Sequence, residues 1–171
     1  MKRILFVASL AVVAAASQAA VNLNISNPVQ VVALPNVGTI GVVFSGTVTT
    51  WGGFAPSNSW AVELPSDGTN FLGGAIDPGF AAYAAAGVVN SNYAGNLFTI
   101  FVNSTDLPGV YDLNNSGFGF SPFAEMIVSA TRNGVTAVDN EFFSVEITPV
   151  PEPASLAILG LAAAALARRK K

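Results

Sequence analysis

The sequence predicts an all-β protein, an antiparallel β-sandwich with an apolar segment at each end. Three observations carry this. The hydrophobic period through the middle of the chain is two, the stretches that show it are separated by Asn, Gly, Asp, Ser and Pro clusters, and each terminal apolar run has basic residues on its outer side.

In chain order, Met1, Lys2 and Arg3 form a short positive start, and Ile4 to Ala16 is apolar apart from Ser9. Ser17-Gln18-Ala19-Ala20 follows with small residues at the offsets a secretory signal peptide needs. Signal peptidase is expected to cut between Ala19 and Ala20, because cutting one residue later would put the bulky Gln18 into a small-residue pocket. Residues 1–19 are therefore a leader, 20–149 the β domain and 150–171 a separate tail.

Within 20–149, Val21, Leu23 and Ile25 alternate in "VNLNIS", and "TIGVVFSGTVTTW" is β-branched and aromatic from Thr39 to Trp51. "SWAVEL" alternates at Trp60, Val62 and Leu64; "NLFTIFVN", "AEMIVSAT" and "EFFSVEIT" cover 96–103, 124–131 and 141–148, with Phe143, Val145 and Ile147 facing one way. The intervening "PSDGTN", "DPGF", "DLPG" and "TRNG" are turn sequences, and Asn133-Gly134 suits a two-residue hairpin because both residues tolerate positive φ. About seven or eight such strands read as a sandwich, jelly-roll-like or immunoglobulin-like. Gly79 to Val89, "GFAAYAAAGVV", reads equally as helix, strand or loop.

Charge and composition narrow the chemistry. Of seven Lys and Arg only Arg132 lies inside 20–149, and of ten acids only Glu152 lies outside it, so the domain carries about −8. Such a surface repels phosphate backbones, and no nucleic-acid partner is expected. Without Cys or His the chain lacks disulfides, the usual catalytic triads and the common zinc ligands. Only carboxylate chemistry such as glycoside hydrolysis stays open. No catalytic residues are assigned, and the chain is expected not to be an enzyme.

Two weak binding patterns stand out. Asp112, Asn114 and Ser116 place oxygens at alternate positions before Gly117, like the first half of a calcium loop, but Phe123 stands where the bidentate acid belongs. A polar turn is the better reading; no cofactor is expected unless calcium binds there. Trp51, Trp60, Tyr83, Tyr93 and Tyr111 are the material for a sugar-stacking platform. Trp60 is in phase with the core positions Val62 and Leu64, which leaves Trp51, beside Gly52-Gly53, and Tyr111 as candidate contacts.

The tail reverses the order of the leader: Pro151-Glu152-Pro153, then Ala154 to Ala167 apolar except Ser155, then Arg168, Arg169, Lys170 and Lys171. This order is a stop-transfer pattern, with the basic end inside the cell and the domain outside. Fourteen residues at ~1.5 Å each cover about 21 Å of a hydrocarbon core of about 30 Å, so the helix is a short and marginal anchor. Pro149, Pro151 and Pro153 hold the chain before it extended, with the helix starting near Pro153. "VPEPASLAILGLAAAALARRKK" closely resembles the PEP-CTERM sorting signal of exported Gram-negative bacterial proteins. The resemblance implies recognition by exosortase, a membrane-embedded processing enzyme, with Pro151, Glu152 and Pro153 as the motif and Arg168 to Lys171 as the basic stop. It further implies transient anchoring in the inner membrane, delivery to the cell surface or extracellular matrix, and an exopolysaccharide or biofilm setting. A structural or adhesive role is expected first, and a carbohydrate-binding module is the alternative.

Overall fold

The computed structural model describes residues 20–114 and 123–150, and all that follows concerns these. The signal-peptide and tail-helix expectations lie outside them, as does Ser116. The chain is mostly β, with one short helix.

The first sheet has the order β1-β3-β8-β7, built from β1 (Val21–Ile25), β3 (Thr39–Thr50), β8 (Asn92–Asn103) and β7 (Gly73–Ile76), all antiparallel. β1 alternates buried and exposed as its sequence requires. Its close approach to β3 depends on Gly46, where a Cβ would lie 2.1 Å from the Asn24 carbonyl oxygen. Between β3 and β8 the register shifts at Phe44/Ser45, so Phe44 faces Phe98 while Ser45 faces Asn96. The extra residue on β8 is Leu97, and this bulge lets Leu97 and Phe98, neighbours in sequence, both be fully buried.

The second sheet pairs β11 (Glu125–Arg132) with β12 (Val135–Phe142) on one side and with the short β4 (Ala55–Pro56) and β5 (Ala61–Val62) on the other. Asn133 and Gly134, at φ 49° and 79°, make the expected two-residue hairpin between Arg132 and Val135. A third sheet, β2-β13-β9, contains β2 (Val29–Ala33), β13 (Ser144–Thr148) and β9 (Gly109–Tyr111). β6 (Pro65–Ser66) and β10 (Leu113–Asn114) form a small pair.

Two expectations are corrected here. The sheets are not wholly antiparallel, because β2 runs parallel to β13. "EFFSVEIT" is not one strand: it divides at Phe143 between β12 and β13, which belong to different sheets. The cause is the phenyl ring. Phe143 is buried against Phe44 and Phe98, with centroids at 5.0 Å and 4.7 Å, while Phe44 and Phe98 stack at 4.7 Å. The chain gives up one straight strand and gains an aromatic cluster that joins elements of different sheets. The predicted facing of Phe143, Val145 and Ile147 holds, since all three are buried.

Helix α1 (Pro78–Ala86) settles the open reading of Gly79 to Val89. Asp77 caps it by accepting from the Gly79 N–H at 2.8 Å, Pro78 begins it, and Gly87 ends it in the left-handed region. Its inner residues are Phe80 and Ala84.

Charged residues close the seam between the first two sheets. Asp139 and Glu141 lie opposite Val128 and Met126, on the core-facing side of β12. Their carboxylates accept from the backbone N–H groups of Leu23, at 2.7 Å, and of Ile25. The outward amides of Leu23 and Ile25 are thus satisfied by side chains where a further strand would otherwise sit.

Candidate functional site

The aromatic residues nominated from the sequence do not assemble into a platform. Trp60, Phe80, Tyr83 and Tyr93 cluster beneath α1, with ring centroids 5.2 to 6.4 Å apart. The Tyr83 hydroxyl donates to the Val48 carbonyl, and the Ser91 hydroxyl donates to Tyr83. Trp60 therefore packs on the core, as its phase indicated.

Tyr111 is the clear correction. It is completely buried at the end of β9, and its hydroxyl donates to the Leu107 carbonyl at 2.9 Å. Burial, with the charge of Asp67 adding to it, pushes its phenol above the ordinary range. A ring without an open face cannot stack on a sugar. Trp51 keeps its face, 38% exposed at the end of β3, with Gly52 and Gly53 both at positive φ after it. Arg132 stands beside this turn, donating to the Gly52 carbonyl with its guanidinium 4.7 Å above the Phe54 ring. The lone base of the domain thus braces the loop that presents Trp51.

Of the oxygen-bearing segment, only Asp112 to Asn114 lies within the described residues. Asp112 is half-buried, and Leu113 and Asn114 run as β10 against Ser66 and Pro65. Among the described residues no group of three or more acidic side chains is placed to hold a metal ion. A polar turn does form at Asp67, which accepts from the Thr69 and Asn70 amides at 2.8 and 2.7 Å. Those backbone bonds hold its carboxyl below the usual range.

Two features went unnoticed in the sequence. Glu63, just after β5, and Glu125, at the start of β11, are both 97% buried, with the Glu63 N–H donating to the Glu125 carbonyl. The Asn140 amide donates to the Glu125 carboxylate at 2.6 Å. In the sequence each Glu occupies the polar phase of an alternating strand, which gives no sign that this second face is covered too. The other feature is a mostly apolar cavity of about 300 Å3, lined by Pro28, Val29, Phe123, Phe142 and Phe143 together with Asp112 and Ser144. Phe123 and Phe142, 5.4 Å apart, are about half exposed beside it.

The decisive site is where the domain meets the tail. β13 is held between β2 and β9 and ends at Thr148, and the Leu34 N–H donates to the Thr148 carbonyl. Only Pro149 and Val150 separate that strand from Pro151-Glu152-Pro153. No helix among the described residues is long and apolar enough to cross a membrane.

Comparison with known proteins agrees with the reading of the tail. No curated protein matches the chain. The major subunit of the aggregative adherence fimbriae type I of Escherichia coli superposes with a TM-score of 0.30 at 20% identity, over 76% of this chain and 95% of that one. Residues 149–171 match the family model of the PEP-CTERM protein-sorting motif. The motif begins one residue beyond the last strand of the domain, and this chain is a PEP-CTERM domain-containing protein, of the exported class sorted by exosortase.

Proposed function

We propose that this is a non-enzymatic protein of the cell surface or extracellular matrix, held at the inner membrane by its tail helix and released or transferred when exosortase acts near Pro151-Glu152-Pro153. Its role is structural or adhesive, in an exopolysaccharide or biofilm setting, and its sheets pack as a sandwich. The observation that carries the proposal is the junction. The matched motif starts at residue 149, directly after a strand paired on both sides. Cutting at or beyond Pro149 therefore removes no strand of the described residues. The domain's charge of about −8 keeps it soluble once it is free of the membrane.

Intact-mass and terminal-peptide mass spectrometry of protein recovered from the host surface and medium tests this. The expected chain starts at Ala20 and ends between Pro149 and Pro153, with any added mass identifying an attached group. A surface protein still carrying Arg168 to Lys171 overturns it.

The exposed face of Trp51 supports a second reading, a carbohydrate-binding module. Under that reading Trp51→Ala abolishes retention on host polysaccharide, while unchanged retention leaves the structural role.

A further inference from the structure

Among the described residues β2 is an edge strand of the third sheet, with β13 as its paired neighbour. The Ser144 N–H donates to the Pro28 carbonyl and the Leu34 N–H to the Thr148 carbonyl, which turns the even-numbered residues of β2 toward β13. The N–H and C=O groups of Val29, Val31 and Ala33 therefore point the other way, along the outer edge of the sheet. Their side chains are exposed as well, Val29 by 57% and Val31 by 61%. No residue of β2 is charged. Open edges are templates for another strand unless charges, prolines or bulges block them. The contrast within this molecule is direct: the carboxylates of Asp139 and Glu141 accept from the outward amides of Leu23 and Ile25 in β1, whereas among the described residues no further strand pairs with β2 on its outer side.

We propose that β2 is the docking edge for a second copy of this chain, joined antiparallel about a two-fold axis at Val31. In that register Val31 faces Val31 of the other copy, and Val29 faces Ala33 in both directions. All three outward residues on each side then find a hydrogen-bonding partner. The exposed face presents only Val and Ala to Val and Ala, so the edge is complementary to itself and asks nothing of a foreign sequence. The order becomes β9-β13-β2-β2-β13-β9, an isologous interface that closes at two copies.

Charge sets the condition for pairing. Glu146 on β13 lies directly beside Val31 and is exposed. Across the axis the two Glu146 residues are about 15 Å apart, from strand spacings of about 4.8 Å and a facing pair of about 5.5 Å. That exceeds the Debye length of about 8 Å at physiological salt, so pairing strengthens as salt rises from low values. The inference is independent of what processes the tail.

Val31→Cys gives the test, since the chain has no other cysteine. The full-length chain in mild detergent and the processed protein from the medium are oxidised gently, with Val138→Cys, equally exposed on β12, as the control. The facing Cα separation of about 5.5 Å lies within disulfide range. The expected result is a covalent dimer from Val31→Cys many times faster than from Val138→Cys, in both forms of the protein. Sedimentation should give a dimer mass for the unmodified protein that Val31→Lys halves. Equal cross-linking rates, a monomeric unmodified protein, or an assembly whose mass Val31→Lys leaves unchanged overturns the proposal.

Discussion

Asn140 shows how much one exposed side chain can decide. Its amide donates to the carboxylate of Glu125, which is 97% buried. Asn140→Ala removes that donor and leaves the carboxylate one partner short, at a cost of about 1–3 kcal/mol. Urea unfolding of the variant should show a lowered midpoint at unchanged slope. Tyrosines set the alkaline limit. Burial raises the phenols of Tyr93 and Tyr111, assisted by the charge of Asp77 at Tyr93 and of Asp67 at Tyr111. A folded-state pKa above the unfolded value near 10 means the native state holds its proton longer, so this stability is complete below about pH 10 and is lost as pH rises beyond it. Melting temperature should fall above that pH, and Tyr93→Phe should flatten the decline. Trp51 and Tyr111 look alike in sequence, each at the end of a β-like run. One is exposed and one buried because Tyr111, opposite the buried Val145 of β13, packs into the core cluster, a neighbour supplied by a distant part of the chain.

Among the elements, β1 depends most on contacts remote in sequence. Each residue of its outer edge that Asp139 or Glu141 serves is 116 positions away. Asp139→Ala together with Glu141→Ala removes two charge-assisted bonds worth about 1.5–3 kcal/mol each. Amide exchange at Leu23 and Ile25 should accelerate strongly, while the β3–β8 ladder keeps its protection; uniform acceleration would mean that the two carboxylates do not act locally. The alternation of "AVDNEF" in β12 puts acids on the face that the sheet turns inward, a conflict that period alone could not resolve. β1, β3, β8 and β11 were legible because their alternating residues fill one core. β2, β7 and β9 were not, since strands of three to five residues with Gly or uniform Val carry too little pattern. α1 had a full set of caps in Asp77, Pro78 and Gly87, yet its Ala-rich body offered no periodicity to decide it.

For the whole molecule, the tail is the part that carries the sorting motif. Replacing Pro151, Glu152 and Pro153 by Ala should leave the fold unchanged, because no described strand reaches them. Unprocessed chain should then collect in the membrane fraction and the medium should be depleted, as cell fractionation with an antibody to the domain would show. Normal release would move recognition away from the tripeptide.

The amino-acid sequence by itself determined the β class, the Asn133-Gly134 hairpin, the acidic charge of the domain and the sorting motif. Each is a local property of composition, period or contiguous motif, which needs no partner from elsewhere in the chain. Tertiary structure decided that Tyr111 is core, that Phe143 divides a run of apolar residues between two sheets, that Glu63 and Glu125 are buried, and that β2 lies at an open edge. These follow from which strands become neighbours, and neighbours are chosen by packing between segments far apart in sequence, where residue order leaves no local trace.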